Sequence, residues 1–326
     1  MSFVSERLDS SPRVPRVLVL MATYNGAQYI AEQLDSILAQ QGVAVSIRIC
    51  DDCSSDNTLA ICEDYVRAHE GVAVTKNPRN LGYIQNFMQM MYEPETRGYD
   101  YYALADQDDI WEPQKLSLAV EALSSLERRV DTKPPALYYS DAINFDETHE
   151  WSEVARYRAC EEHPDTVLVR NWILGCTMVF NDELLALLAQ YCPDEFPRIH
   201  DAWIHCIARY CGEVVADFDH APIRHRITGQ NAIGAPKDHI TSIKSLASNL
   251  GGLLKKPDAA PTRTVRMLLE HYGDAMRPMA KETLTEFAGY RRTLRSRLRM
   301  AHRFDFYQPS WQGRLLVRLC FVFGRY

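Results

Sequence analysis

The sequence predicts an α/β fold in which a mainly parallel sheet is flanked by helices. Short apolar runs alternate with segments whose apolar residues recur at helical spacing, which is the pattern of βαβ units. The runs that predict the first four strands are 17–22, 45–50, 72–75 and 101–105. Polar clusters follow these runs, and ligands of open α/β sheets bind at that edge.

Each predicted element has its own signal in the chain. The first strand is a continuous apolar run that ends before an Asn-Gly turn, as buried strands do. The next segment predicts a helix, because one face would carry Ile30, Leu34, Ile37 and Leu38. Gly42 marks the end of that helix. Further helices are predicted after the polar cluster 51–58 and near 84–91 and 116–126, with a strand at 136–139.

These signals divide the chain into three parts. Residues 1–15 carry Ser, Pro and charge and predict a loose tail without the apolar core of a signal peptide. The α/β domain is expected at 16–235. From about Pro236 the strand pattern stops, so residues 236–326 are expected to form a helical, basic C-terminal extension.

Composition bounds the class of protein. The chain has 326 residues, 46% of them hydrophobic and 24% charged, which suffices for a sizeable core. Its net charge of −7 argues against broad nucleic-acid binding. The nine cysteines show no repeated spacing and indicate reduced thiols, with Cys50 and Cys53 structural. No apolar stretch is long enough to span a bilayer, so a cytoplasmic location is expected.

The acidic cluster after the fourth strand is the strongest chemical signal. Asp106, Gln107, Asp108 and Asp109 follow the apolar run directly, so two carboxylates at i and i+2 can face one ligand. Hard oxygen ligands suit Mg²⁺ or Mn²⁺, which bridge to diphosphate oxygens. A solvated turn with helix-capping acids is the alternative.

Other strand ends carry weaker signals. Asp52 can accept hydrogen bonds from a nucleobase or a ribose hydroxyl, or it can cap the next helix, although Asp56 is better placed to cap. The Thr23-Tyr24-Asn25 segment reads by default as a turn, and Gly82 could serve close helix packing.

Two later stretches also allow a chemical and a structural interpretation. Asp201 could be a general base for an acceptor hydroxyl, or the N-cap of a helix at 202–209. Arg224 and Arg226 flank His225, and their guanidinium groups could stabilise a departing diphosphate or form a solvated basic turn.

Taken together, these stretches resemble the family-2 inverting glycosyltransferases of GT-A fold. The order and spacing match over about residues 15–235, through the segments 22–26, 51–58, 80–82, 104–111, 139–141, 175–178 and 200–203. Within that family, the strings at 106–111 and 175–178 are most similar to bacterial rhamnosyltransferases of cell-surface polysaccharide synthesis.

The resemblance implies a role for each matched residue. Asp201 would be the catalytic base, and Asp108 would hold the divalent metal with His225. The donor nucleotide would be bound by Thr23, Tyr24, Asn25, Asp52, Asn80, Gly82, Asp106, Gln107 and Arg226. The acceptor side would be shaped by Gly175, Cys176, Thr177, His200 and Trp203.

One departure from the family pattern concerns the metal. Similar sequences carry a Tyr-Arg-x-His-Gly-x-Asn string, whose His reaches the metal. Here the stretch 225–231 places Thr228 where that His would be, and His225 replaces the Tyr. Either His225 substitutes, or the metal relies on Asp108, phosphate and water.

The C-terminal segment is rich in arginine and apolar residues. Arginines at 291, 292, 295, 297, 299 and 303 interleave with Leu294, Leu298 and Met300, and aromatic residues follow. A basic helix with an apolar face suits an anionic membrane surface, which would place the protein beside a lipid-linked acceptor. Packing of a helical pair on the α/β domain, with solvated arginines, is the alternative.

The resulting expectation is transfer of a sugar from a nucleoside-diphosphate donor to a hydroxyl of a glycan or lipid-linked glycan. dTDP-L-rhamnose is the first choice of donor and UDP-hexoses the next. The reaction would be a single displacement with inversion. A nucleotidyltransferase would share the sheet and the acidic loop, but it would normally show a Gly-rich loop after the first strand. A non-catalytic carbohydrate-binding protein would tolerate loss of Asp106, Asp108 and Asp201.

Overall fold

The structure is a computed structural model that describes most of the chain. It describes residues 13–129, 131–152, 154–193, 195–196, 198–228, 248–249, 251–252, 255, 258–303, 306, 308 and 310–326. Most of the predicted tail 1–15, the boundary near Pro236 and residues 229–231 lie outside these ranges.

A seven-stranded sheet forms the centre of the α/β part and confirms the predicted fold class. Its strand order is β10-β6-β9-β4-β1-β2-β3, and all neighbours are parallel except where β9 pairs with β4 and β6. The strands are β1 (Arg16–Thr23), β2 (Ala44–Asp51), β3 (Val72–Lys76), β4 (Tyr101–Ala105), β6 (Ala136–Ser140), β9 (Val179–Asn181) and β10 (Glu213–Asp217). The strands β4 and β6 are buried at every residue, as expected of central strands covered on both faces.

Helices cover both faces of this sheet. Those of the α/β part are α1 (Ile30–Leu38), α2 (Thr58–Ala68), α3 (Tyr83–Tyr92), α4 (Lys115–Glu127), α5 (Val154–Glu161), α6 (Asp182–Leu188) and α7 (His200–Cys211). The first of them buries Ile30, Leu34 and Ile37, as the helical spacing predicts. It ends at Leu38, and Gly42 lies beyond it with a φ of 76°.

A second, four-stranded sheet was not predicted. Its order is β5-β11-β7-β8, with β5 (Ile110–Trp111), β7 (Ile143–Phe145), β8 (Glu150–Ser152) and β11 (Ile223–Arg226). These strands have two to four residues each, too few for a period of two to stand out in the sequence. Pairing of Arg224 with Ile110 brings the basic strand β11 beside the acidic loop that follows β4.

The C-terminal part is helical, as expected. The helices are α8 (Ala260–Tyr272), α9 (Pro278–Gly289), α10 (Leu294–Arg303) and α11 (Trp311–Val322). Their apolar faces share one hydrophobic core with α3, α6 and α7. Phe321 lies at the centre of this packing, with ring centroids 5.5 Å from Phe287, 5.2 Å from Tyr290 and 5.4 Å from Phe306.

The outward faces of α10 and α11 leave several large apolar side chains in solvent. Leu294 is 63% exposed, Leu298 43%, Trp311 52% and Leu315 38%. Among the described residues, no helix combines the length and the hydropathy needed to cross a membrane.

The aromatic packing around Phe321 predicts a stability difference between two neighbouring phenylalanines. Phe321→Ala should lower the free energy of unfolding by about 3–5 kcal/mol, because it empties a fully buried site between three rings. Phe323→Ala is the matched control, since Phe323 is 46% exposed and its loss should cost no more than about 0.5 kcal/mol. Urea unfolding followed by tryptophan fluorescence measures both. Equal shifts in the two variants would contradict the packing described.

Candidate active site

The loop after β1 is fixed by side chains from two neighbouring strand ends. The backbone N–H of Tyr24 donates to Gln107 Oε1 at 2.8 Å, and Gln107 Nε2 returns a bond to the Tyr24 carbonyl at 3.0 Å. Asn25 has a φ of 48°, and its Oδ1 accepts from the Ser55 N–H at 2.8 Å. A Cβ at Gly26 would clash with the amide of Gln107. Gln107, predicted to bind the donor, therefore joins the acidic loop to the end of β1.

Asp52 organises the next strand end. Its carboxylate is 3% exposed and accepts from the backbone N–H groups of Leu81 and Gly82, each at 2.8 Å. Asn77 Nδ2 donates to the same carboxylate at 2.8 Å, and Asn80 Nδ2 donates to the Asp52 carbonyl at 3.2 Å. Gly82 has a φ of 80°, a conformation that favours glycine. The predicted donor residues Asp52, Asn80 and Gly82 therefore form one hydrogen-bonded unit.

The acidic loop after β4 concentrates negative charge in a buried position. Burial, together with the charges of Asp108 and Asp109, raises the pKa of Asp106 to about 7. Burial and the Asp108 charge raise the pKa of Asp109 to about 7 as well. Burial also raises the pKa of Asp108, while His225 and Arg226 act to lower it. A site with this charge favours a cation.

Three potential metal ligands converge on this loop. A carboxylate oxygen of Asp106, the thiol of Cys176 and a ring nitrogen of His225 all lie within 4.8 Å of one another. The other side of His225 is fixed, because its Nδ1 lies 2.9 Å from Asn144 Oδ1 on the neighbouring strand β7. The carboxylate of Asp106 and the imidazole of His225 are ligands that fit a divalent ion, and the buried Asp109 carboxyl group lies close to Asp106.

Asp201 faces the acidic loop from α7. Burial raises its pKa to about 7, and the charge of Asp106 adds to that rise. Gly175 lies against the start of α7, because a Cβ there would be 3.6 Å from the Asp201 Cβ and 3.0 Å from His200 Nε2. The structural interpretation of Asp201 as an N-cap was wrong, since Ile199 occupies the cap position and Asp201 bonds its neighbour Ala202 N–H at 2.6 Å.

The residues predicted for the acceptor side are divided. His200 is buried, stacks on Phe87 with ring centroids 4.4 Å apart, and has a pKa lowered to about 3 by burial. Thr177 is also buried and closes a 3-10 turn by donating to the Leu174 carbonyl at 2.8 Å. Trp203 needs a correction, because it is fully buried in the core beside Tyr272 and Phe196 and is not brought to the cleft. Helix periodicity turns it away from Asp201.

The two predicted cations on β11 have defined partners. Arg224 pairs with Glu150 and lies over the Phe145 ring. Arg226 contacts the loop itself, since its Nε donates to the Asp108 carbonyl at 2.8 Å. Both side chains belong to a paired strand, so the solvated basic turn considered from the sequence was wrong.

Two residues at the site escaped the sequence analysis. Tyr83 begins α3, and the charges of Asp201 and Asp106 both raise the pKa of its phenol after burial, which places it near the two acids. Its position directly after Gly82 was the available signal. Asn144 had no such signal, because only the pairing of β7 with β11 brings it to His225.

The raised pKa of Asp201 predicts a pH-dependent gain from Asp201→Asn. Between about pH 4 and pH 7 the unfolded chain releases this proton while the folded chain keeps it, so the unfolding free energy falls as pH rises. The amide removes that penalty. We expect Asp201→Asn and the parent chain to be equally stable near pH 4, and the variant to be about 2–4 kcal/mol more stable near pH 8. Urea unfolding across pH measures it, and a pH-independent difference would contradict the burial of the charge.

Part of the chain is similar to a known family of proteins. Residues 18–160 match the family described as glycosyl transferase family 2. The dTDP-rhamnosyl transferase RfbG of Shigella flexneri is 41% identical over 105 residues, which is 32% of this chain and 36% of that protein. The chain therefore spans well under two thirds of that relative's length.

Solved structures show the same fold. TarS from S. aureus in complex with UDP superposes with a TM-score of 0.52 at 16% identity, covering 95% of this chain and 89% of that chain. The mannosyltransferase PcManGT from Pyrobaculum calidifontis, in complex with GDP-Man and Mn²⁺, gives 0.53 at 14% identity, covering 97% and 89%. The fold is GT-A, and residues 18–160 of this chain are similar to glycosyl transferase family 2.

Proposed function

We propose that this protein transfers a sugar from a nucleoside-diphosphate donor to an acceptor hydroxyl with inversion. The observation that carries the proposal is the position of Asp201 close to the acidic loop, where the charge of Asp106 acts on its buried carboxyl group and Gly175 packs against it. A carboxyl group whose pKa is close to 7 is matched to taking a proton from an alcohol near neutral pH. The neighbouring strand ends supply the fixed loops that a nucleotide requires.

The residues divide the work across the cleft. Asp201 accepts the acceptor's proton as the oxygen attacks the anomeric carbon opposite the diphosphate. Asp106 and His225, which converge with Cys176, would hold the divalent cation, Mg²⁺ or Mn²⁺, together with Asp108, the ligand that the sequence predicts. When bound, that cation would neutralise charge on the departing diphosphate. Thr23, Tyr24 and Asn25 would line the base, with Tyr24 50% exposed and available to stack. A single displacement needs no enzyme nucleophile.

The donor we propose is dTDP-L-rhamnose, and the acceptor a growing surface polysaccharide. Support comes from the similarity to the dTDP-rhamnosyl transferase RfbG, which is 41% identical over 105 residues. UDP-hexoses are the next candidates, since a structural neighbour binds UDP-GlcNAc. A nucleotidyltransferase is disfavoured because the loop at 23–26 carries one glycine and is tied to Gln107.

A panel of nucleotide sugars tests the proposal. We expect dTDP-L-rhamnose with Mn²⁺ or Mg²⁺ to raise the melting temperature more than the donor alone or other nucleotide sugars do. Absence of any nucleotide-dependent shift would refute donor binding. Asp201→Asn should keep the shift and lose transfer by about a hundredfold or more, measured with released dTDP. Retained turnover would exclude Asp201 as the base.

We further propose that the outer faces of α10 and α11 contact an anionic membrane surface at its cytoplasmic face. Residues 291–326 contain nine arginines and one aspartate, which gives this segment a net charge of +8. Since the whole chain has a net charge of −7, residues 1–290 have a net charge of −15. On α11 the exposed stripe is Trp311, Arg314, Leu315 and Arg318, spaced i, i+3, i+4 and i+7. Exposed apolar groups next to arginines bind a bilayer interface and its anionic head groups.

Vesicle sedimentation tests this surface. The protein should bind phosphatidylcholine vesicles containing phosphatidylglycerol and not vesicles of phosphatidylcholine alone. The double variant Trp311→Ser with Leu315→Ser should lose binding by about tenfold. Met279→Ser is the control, because Met279 is 79% exposed on α9, outside the basic helices. Equal binding by all three proteins would refute the assignment.

A further inference from the structure

Arg226 occupies a position that direct binding of a phosphate does not explain. Its guanidinium lies 4.6 Å from the ring centroid of Tyr29 and 4.6 Å from that of Phe145. Nη2 pairs with Glu32 Oε2 at 2.7 Å, and Nε donates to the Asp108 carbonyl at 2.8 Å. The side chain is 18% exposed. The planar group thus lies over two aromatic rings and is hydrogen-bonded at two of its nitrogens.

The backbone of the same residue also holds the acidic loop. The Arg226 N–H donates to Asp109 Oδ1 at 3.1 Å. The strands β11 and β5 continue from this contact as an antiparallel ladder, in which Arg224 pairs with Ile110. Backbone and side chain of Arg226 therefore grip consecutive residues of the loop, Asp108 and Asp109.

The loop needs such a grip because its charges repel one another. Asp106, Asp108 and Asp109 lie within four residues, and each destabilises the charged form of a neighbour. A bond to the Asp108 carbonyl fixes the peptide that carries the carboxylate without occupying the carboxylate itself. The Asp108 side chain remains available for a cation.

We propose that Arg226 is a positioning residue that fixes Asp108 for cation binding, through a clamp formed with Glu32, Tyr29 and Phe145. This inference rests on the proposed function only for the divalent cation that the acidic loop would bind. The clamp links α1, β7 and β11 to the loop. Lysine cannot replace it, because one compact ammonium group cannot lie over two rings and also bond both Glu32 and a carbonyl.

Hydrogen exchange tests the clamp without any ligand. In protein free of metal and nucleotide, Arg226→Lys and Glu32→Gln should each increase deuterium uptake in a peptide covering residues 104–112. Arg224→Lys is the matched control, because Arg224 lies on the same strand and stacks on the same Phe145 ring but its side chain contacts Glu150. Unchanged uptake in Arg226→Lys, or an equal rise in Arg224→Lys, would overturn the proposal.

Binding experiments separate positioning from direct contact with phosphate. Mn²⁺ affinity can be measured from the electron paramagnetic resonance signal of free Mn²⁺ at a fixed dTDP concentration. It should fall about tenfold in Arg226→Lys and less in Glu32→Gln. Glu32 carries negative charge and cannot bind phosphate directly, so a loss there must act through Arg226. Loss of metal-independent dTDP affinity in Arg226→Lys, with normal exchange, would identify a phosphate ligand instead. If the parent chain binds no dTDP, the proposed dTDP-sugar donor is refuted. The hydrogen-exchange experiment still tests the clamp, because it uses protein free of metal and nucleotide.

Discussion

The gathering of carboxylates at one edge of the sheet is the constraint on which the rest of this structure depends. Parallel strands end at the same edge of the sheet. This arrangement forces together Asp52 after β2, the acidic loop after β4 and the segment at Gly175 that contacts α7. Removing carboxylates from water and placing them side by side is costly. The surrounding structure offsets that cost in a different way at each acid.

At Asp52 the cost is offset by the backbone N–H groups of Leu81 and Gly82, which donate hydrogen bonds to the carboxylate. These bonds also fix the loop that carries the two residues. At Asp109 the offset comes from the backbone of β11, with Lys115 as a nearby buried cation whose ammonium lies 3.7 Å from the Trp111 ring centroid. At Asp106, Asp109 and Asp201 the compensation is incomplete, and burial lifts the pKa of each carboxyl group to about 7. Incompletely compensated acids are the ones suited to bind a cation or take a proton.

The second sheet completes this arrangement. Four short strands carry His225 and Arg226 to the acidic loop and Asn144 to His225. The C-terminal helices support the opposite side, because Trp203 at the start of α7 packs against Tyr272 of α8. Asp201, two residues before Trp203, is thereby held from behind by the core that the C-terminal helices complete. The site is thus fixed both by the small sheet and by the C-terminal packing.

The sequence by itself determined the strands β1 to β4 and β6, the helices α1 to α4 and the strand-end clusters. These features depend on local periodicity and on turn residues, which can be read within ten residues. It could not determine β9, the small sheet or the environments of Trp203 and Arg226. Strands of two to four residues carry no period, and whether a polar side chain binds a ligand or a neighbour depends on contacts between residues far apart in the chain. Glu32 and Arg226 are 194 residues apart, and only tertiary packing makes them partners.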